Sequence, residues 1–252
     1  MKKKMKRENL RIGVVGAGSW GTALAKLLAD KGFALDLWVF EPEVREQIEK
    51  DRENKDFLPG FILPEIISPT NDIEIAVKNK DLVLIVVPSH CMRDMAGRMK
   101  PFISPDTILV TASKGIENNT HMVMSQILEE ILEFLPREHI AVLSGPSFAK
   151  EVANKVPTVV ASASLSREVA EYVQQIFACS TFRVYVNDDP IGTQIGGAMK
   201  NVIAIAAGIC DGMKMGLNPR AALITRGLTE MNRVGTRMGA DPLTLSGLAG
   251  VG

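Results

Sequence analysis

The sequence predicts an α/β fold, in which a doubly wound, mainly parallel sheet is followed by an all-helical second domain. Three observations carry this prediction: a glycine turn between an apolar strand and an amphipathic helix, a series of continuous Val/Ile/Leu runs, and a change to helical patterning near Val186. Continuous apolar runs are typical of strands buried on both faces, as in parallel sheets covered by helices. A chain of 252 residues is long enough for such a sheet and a smaller second unit.

The first predicted unit is a strand over residues 10–15, a turn containing Gly16, Gly18 and Gly21, and a helix ending near Gly32. Gly16 permits the sharp exit from the strand, Gly18 lets backbone N–H groups approach a phosphate, and Gly21 lets the helix pack closely on the strand. The helix N-terminus favours an anion through its unsatisfied N–H groups and its dipole. The unit therefore predicts a pyrophosphate site in a Rossmann-type, dinucleotide-binding domain.

A second apolar run, residues 35–40, ends in Glu41, about 20 residues after Gly21, where an acceptor for a ribose 2′-hydroxyl belongs. The alternative is a solvated loop carboxylate, because strand ends often carry acids. We expect Glu41 to bind the cofactor. An acidic residue at this position favours NAD over NADP without excluding NADP.

Five further apolar runs predict the rest of the sheet, and the last two are expected to form an antiparallel or edge extension; they cover residues 82–87, 108–111, 140–143, 158–161 and 182–186. Ligands of open α/β sheets lie at the carboxyl ends of the strands. Lys114 follows the second of these runs and supplies a cation where a carbonyl or phosphate could lie. A surface lysine is the alternative interpretation of this residue.

From Asp189-Pro190 onward the strand pattern gives way to helices. We therefore predict a dinucleotide-binding domain over residues 1–188 and a helical substrate and catalytic domain over residues 189–252. The first helix of this domain, from Ile191 to about Met213, is apolar nearly all round and rich in small residues. This pattern predicts a central, buried helix.

Lys200 and Asn201 lie in that helix, and a buried ammonium is costly unless it is paired, faces a cleft, or has a lowered pKa. The functional interpretation is a general acid or base: hydride transfer to a ketone creates an alkoxide, which a lysine of lowered pKa can protonate near neutral pH. Lys114 could be the second cation that lowers this pKa, and Asn201 would orient the lysine or the substrate oxygen. A snorkelling lysine or a structural ion pair is the alternative.

Composition limits the partners and the compartment. Lys plus Arg and Asp plus Glu both total 29, so the net charge of zero favours neither nucleic acid nor an anionic membrane surface. No long apolar stretch predicts a membrane span. The three cysteines, Cys91, Cys179 and Cys210, are too far apart to suggest a metal site or a disulfide framework. Composition therefore favours a cytoplasmic protein that acts on a small molecule. We also expect a homodimer, which no residue pattern in the sequence decides.

Motifs along almost the whole chain resemble those of the NAD(P)-dependent glycerol-3-phosphate dehydrogenases. The glycine turn, Ser113-Lys114-Gly115-Ile116-Glu117 and Gly197-Ala198-Met199-Lys200-Asn201-Val202 are among them. The complete set covers residues 16–23, 37–38, 57–60, 113–117, 144–149, 197–202, 225–227 and 247–252. This combination is far more specific than the glycine turn alone.

The resemblance implies reversible reduction of dihydroxyacetone phosphate to sn-glycerol 3-phosphate, the precursor of the phospholipid backbone, with NAD or NADP as cofactor. It implies that Lys200 donates the proton to the new alkoxide. The implied cofactor contacts are Ser19, Trp20, Phe40, Phe57, Lys114 and Ala149. The implied substrate contacts are Lys114, Gly145, Ser147 and Lys200, beside which we place Asn201.

The resemblance also places a substrate-binding aspartate directly after Gly252, and an Arg-Asn pair for the phosphate and cofactor further on. The sequence ends before both, so we expect a truncated chain whose phosphate clamp is missing and whose binding is weakened. Two alternatives stay open. One is a β-hydroxyacid dehydrogenase acting on a carboxylate substrate, and the other is a non-catalytic fragment that binds NADH.

Overall fold

A computed structural model describes residues 10–251, and in this part of the chain eight strands form one sheet. The strands of this sheet are β1 (Ile12–Val15), β2 (Leu35–Trp38), β5 (Ile67–Thr70), β6 (Leu82–Ile85), β7 (Ile108–Thr111), β8 (Ile140–Ser144), β9 (Thr158–Ser164) and β10 (Phe182–Asn187). Their order is β5-β2-β1-β6-β7-β8-β9-β10, and all neighbouring strands are parallel except β8 and β9. A separate two-stranded ribbon pairs β3 (Glu53–Asn54) with β4 (Leu58–Ile62).

The predicted doubly wound sheet is confirmed. The chain winds outward from β1 to β2 and β5, then returns to the other side of β1 and continues through β6, β7 and β8. Val15 pairs with Trp38 on one side and Ile85 on the other, so the three central strands end level. This reversal of strand order opens a crevice at the carboxyl edge beside β1, where ligands of such sheets bind.

The edge strands show where pattern reasoning worked and where it did not. The expected extension is present: β9 runs antiparallel to β8, and β10 parallel to β9. Strand β5 was not anticipated, because Pro69 and two hydroxyl residues interrupt its apolar pattern. Proline is tolerated there because β5 lies at the edge of the sheet, where one side of the backbone needs no ladder partner.

Helices cover both faces of the sheet. One core packs under α1, α2 and α7, and the other under α3, α4 and α5. The helices are α1 (Ser19–Asp30), α2 (Pro42–Asp51), α3 (Ile73–Val77), α4 (Met92–Met99), α5 (Met124–Ile131), α6 (Ala149–Ala153), α7 (Arg167–Phe177), α8 (Pro190–Gly212), α9 (Leu217–Arg237) and α10 (Pro242–Leu245). Strands β1, β6 and β7 are buried on both faces, as their continuous apolar runs predict.

Helix α8 departs from the prediction of burial along its whole length. Its N-terminal third is buried, but Val202, Ile205 and Ile209 in the remainder are 69%, 66% and 57% exposed. This later part packs on α9 along one side. An apolar pattern identifies a helix that can be buried, whereas the elements that pack around it decide which turns are covered.

The change from strands to helices lies between Asn187, where β10 ends, and Pro190, where α8 begins. The division into domains of residues 1–188 and 189–252 stays a prediction. Among residues 10–251, the structure contains no helix that is both long and apolar enough to cross a membrane. Nor does that part of the chain gather three or more His, Cys, Asp or Glu side chains around a common point for a metal ion.

Candidate active site

The glycine turn is packed as tightly as its sequence suggests. Gly16 has φ +113° and donates its N–H to the carbonyl of Trp38 at 3.1 Å. A Cβ on Gly21 would lie 1.9 Å from the carbonyl oxygen of Gly16, and a Cβ on Gly16 would lie 2.4 Å from that of Val86. Helix α1 therefore approaches the turn and β6 at backbone distance, which only glycine allows.

Gly18 differs from the other two glycines of the turn, because a Cβ there would meet nothing within 4 Å. It is the N-cap of α1, and no side chain in the described part of the chain caps the helix at this position. The first N–H groups of α1 therefore point toward open space at the carboxyl edge. An open cradle of backbone donors at a helix N-terminus fits a dinucleotide pyrophosphate.

Side chains predicted to contact the cofactor surround this cradle. Ser19 donates its hydroxyl to the carbonyl of Phe57 at 2.6 Å, which ties the start of α1 to the segment before β4. Trp20 and Ala149 pack against one small apolar cluster beneath α1 and α6. The indole Nε1 of Trp20 is buried without a hydrogen-bond partner in the described structure. The structure thus brings four of these residues to one side of the turn.

Phe40 and Glu41 follow β2 at the same edge of the sheet. The Phe40 side chain is 67% exposed, and its ring lies 6.0 Å from that of Trp38. Glu41 is half-buried at the N-cap of α2, and its carboxylate does not cap that helix. Both side chains are placed where the distal half of a dinucleotide would extend from the turn. Their contacts with a cofactor stay predictions.

A second part of the crevice is a cavity of about 510 Å³ between the sheet edge, α8 and α9. It contains all five residues predicted to contact substrate, which are Lys114, Gly145, Ser147, Lys200 and Asn201. Sequence reasoning missed its apolar wall, because neither α8 nor α9 carries a motif that separates a cavity wall from an ordinary packed face. That wall includes Ile203, Ile224 and Leu228.

Lys114 lies in the loop after β7 and contacts the segment after β8. Its ammonium donates to the carbonyl of Gly145 at 3.3 Å, and burial lowers its pKa. Arg93 stabilises the loop by donating from Nε and Nη2 to the two carboxylate oxygens of Glu117, at 2.9 Å each. This pair and the hydroxyl of Thr120 lower the pKa of Glu117 to about 2. Arg93, which lies on α4, was missed because its sequence gives no sign of the pairing.

Lys200 lies on α8 across the cavity from this loop. Burial, and after it the positive charge of Lys114, lower its pKa to about 8. One turn earlier, a Cβ on Gly197 would lie 2.5 Å from Ser144 Oγ and 4.0 Å from Lys114 Cγ. The glycine lets α8 approach β8 and the Lys114 side chain. The burial and the second cation invoked for Lys200 are both present, and its role as general acid stays a prediction.

Comparison with known proteins identifies the family. The model of the NAD-dependent glycerol-3-phosphate dehydrogenase N-terminus matches residues 11–170, and that of the C-terminus matches residues 189–252. A glycerol-3-phosphate dehydrogenase [NAD(P)+] of Syntrophobacter fumaroxidans is 54% identical over 96% of this chain and 71% of its own length. The corresponding protein of Geobacter metallireducens is 52% identical over 96% of this chain and 72% of its own.

Solved structures agree with this match. The crystal structure of a glycerol-3-phosphate dehydrogenase from Coxiella burnetii superposes with a TM-score of 0.90 at 40% identity, covering 97% of this chain and 74% of that one. A ketopantoate reductase from Ralstonia eutropha shares only the fold, at 15% identity and a TM-score of 0.53. The glycine turn, the two-lysine cavity and these matches together show that the chain belongs to the NAD(P)-dependent glycerol-3-phosphate dehydrogenase family.

Proposed function

We propose that this chain catalyses the reduction of dihydroxyacetone phosphate to sn-glycerol 3-phosphate, which feeds glycerophospholipid synthesis. The observation that carries the proposal is the cavity in which Lys114 and Lys200 face each other with lowered pKa values. It lies at the same sheet edge as the open glycine cradle. Family membership supports the reaction class, and the lysine pair supports reduction of a carbonyl in a phosphorylated substrate.

The cofactor is NAD or NADP, and when bound it supplies the hydride to the substrate carbonyl. In our proposal the backbone of the turn holds the pyrophosphate, and Glu41 accepts from the ribose and favours NADH. The residues assigned to the cofactor are Gly16, Gly18, Ser19, Trp20, Gly21, Phe40, Glu41, Phe57, Lys114 and Ala149. The open space in front of Gly18 supports this assignment.

Lys200 protonates the oxygen that becomes an alkoxide during reduction. An ammonium with a pKa of about 8 is largely protonated at neutral pH, yet gives up its proton more readily than an ordinary lysine. Lys114 keeps its positive charge close to the reacting oxygen and to the substrate phosphate, where it stabilises negative charge. Gly145, Ser147 and Asn201 line the same cavity and orient the substrate.

The remaining assignments follow from this reaction. Residues 1–188 form the dinucleotide-binding domain, and residues 189–252 contribute the helical substrate and catalytic domain. This division is supported by the end of the sheet at Asn187 and by the start of α8 at Pro190. We propose further that the protein works as a cytoplasmic homodimer and that its partner is a small phosphorylated molecule.

The test follows the loss of NADH absorbance after dihydroxyacetone phosphate is added to the purified chain. We expect Lys200→Ala to lower turnover by about 10²- to 10⁴-fold, the usual contribution of a positioned general acid. Lys78→Ala is the matched control, because Lys78 is an exposed lysine at the end of α3, outside the cavity. It should leave turnover unchanged.

Three results would contradict the proposal. Turnover that survives Lys200→Ala would show that Lys200 is not the proton donor. Faster turnover of a β-keto acid than of dihydroxyacetone phosphate would favour a β-hydroxyacid dehydrogenase. NADH binding, followed by Trp fluorescence, without turnover of either compound would identify a non-catalytic dinucleotide-binding chain.

A further inference from the structure

Helix α8 carries Lys200, and glycines form much of the surface of its buried part. Gly192, Gly196 and Gly197 line this part, and a Cβ on Gly196 would lie 2.6 Å from the carbonyl oxygen of Ala249. Glycines allow close approach, but they have no side chains that interlock with a neighbour. Ile195 is fully buried in the same stretch and packs in an apolar cluster, but apolar contacts are not directional.

Gln194 supplies directional bonds in the same stretch. Its Oε1 accepts from the backbone N–H of Ser125 at 2.8 Å, and its Nε2 donates to Ser125 Oγ at 2.8 Å. The same Nε2 also donates to the carbonyl of Pro190 within α8 at 2.8 Å. Gln194 and Ser125 are only 4% and 2% exposed, so water does not compete for these bonds.

Ser125 belongs to the segment that carries Lys114. It lies in the first turn of α5, where backbone N–H groups lack partners within the helix. The loop before α5 folds back on itself, because Glu117 donates its N–H to the carbonyl of Met122 and Ile116 pairs with Val123. The Gln194–Ser125 contact thus joins the two chain segments from which Lys114 and Lys200 project.

We propose that Gln194 is a positioning residue, which through Ser125 fixes the rotation of α8 and thereby sets Lys200 against Lys114 in the cavity. The inference rests on the proposed role of Lys200 and adds the residue that places it. Among the residues that line the cavity, Lys114 and Lys200 are the titratable ones. The burial of Lys200 and its separation from Lys114 are therefore the quantities that a loss of Gln194 bonding should change.

The test measures the pKa of Lys200 directly in the full chain. Protein labelled with ¹³C at the lysine ε carbon is titrated by NMR, and the Lys200 signal is assigned from its absence in Lys200→Arg. Gln194→Met keeps the length of the side chain but removes its hydrogen bonds. We expect it to raise the pKa of Lys200 by about one unit or more, because rotation of α8 exposes the ammonium and moves it away from Lys114.

Ser125→Ala is the second variant, should Gln194→Met fold poorly, and it should raise the same pKa by a smaller amount. Ser162→Ala is its matched control: Ser162 is fully buried in β9 and donates to the carbonyl of Ala170, away from α8. It should lower the melting temperature without moving the Lys200 signal. If Gln194 had a merely structural role, all three variants would lower the melting temperature and leave the Lys200 signal unmoved.

A Lys200 pKa that stays at the wild-type value in folded Gln194→Met and Ser125→Ala would overturn the inference. This readout needs no turnover, so it separates the two proposals. Absence of turnover with a shifted pKa would contradict the proposed function alone. Turnover that depends on Lys200, with an unmoved pKa in both variants, would contradict the positioning role alone.

Discussion

The two halves of the crevice are built in different ways. The glycine turn is made of backbone from one continuous stretch, residues 16–21, and its anion site needs no charged side chain. The cavity is lined by the segments that follow β7 and β8 and by α8 and α9, which are distant in sequence. The turn works through shape and a helix terminus, whereas the cavity works through charge and burial. Substitutions should therefore damage the two halves in different ways.

The largest effect is expected where a side chain is forced into the turn. Gly21→Ala would place a Cβ 1.9 Å from the Gly16 carbonyl oxygen, so α1 must move away from the sheet. We expect the free energy of unfolding to fall by about 1–3 kcal/mol, measured by urea denaturation, and NADH binding to be lost.

Gly18→Ala is the matched variant, because the new Cβ meets nothing and φ is −65°. It should leave the free energy of unfolding unchanged within about 0.5 kcal/mol, the usual range for exposed sites. NADH affinity should nevertheless fall about tenfold or more, since the methyl group occupies the space assigned to the pyrophosphate. Equal stability of the two variants would refute the packing difference between the two glycines.

In the cavity, in contrast to the turn, a substitution that removes the charged side chain should raise stability. The pKa of Lys200 is lowered from 10.5 to about 8, so the folded chain binds this proton less tightly than the unfolded chain. The ammonium therefore destabilises the fold below pH 8, and this penalty disappears as the pH rises from 8 to 10.5. Lys200→Met should be more stable than wild type at pH 7 by about 1–3 kcal/mol, after allowance for partial exposure.

The measurement is urea unfolding of both proteins at pH 7 and pH 9.5. The stability difference should shrink by about half at the higher pH, because folded Lys200 has then lost its proton and no longer carries a buried charge, while the unfolded lysine stays protonated. Lys78→Met serves as the control, since this exposed lysine pairs only with Glu74 on its own helix in the described structure. A stability gain for Lys200→Met that does not change with pH would reflect packing alone and would contradict the charge argument.

The smallest effect is expected for Glu41→Gln, which removes a charge from the half of the crevice that contains the glycine turn, where binding depends mainly on backbone. The carboxylate is half-buried after β2, where it can accept from a ribose hydroxyl. We expect the ratio of NADH to NADPH affinity to fall about three- to tenfold, in line with a partly exposed hydrogen bond to a charged acceptor. An unchanged ratio in fluorescence titrations would indicate that Glu41 is a solvated loop carboxylate that does not contact the ribose.

Pattern reasoning predicted the sheet well because burial on both faces leaves a continuous apolar run in β1, β6 and β7. It missed β5 and the β3–β4 ribbon, where short or polar strands carry no such signal. In the cavity it found Lys114 from its place after a strand and Lys200 from its cost in an apolar helix. It could not find Arg93 or Gln194, because their partners lie on other elements.

Consecutive residues alone predict the strand–turn–helix unit and the buried strands of the sheet, since local backbone geometry and periodic burial leave local patterns. The packing of distant segments places Lys114 and Lys200 in one cavity and lets Gln194 join their segments, and this is seen only in the tertiary structure. The pKa values of the two lysines were also decided there. Burial and charge separation depend on where distant segments pack, and no local pattern encodes those distances.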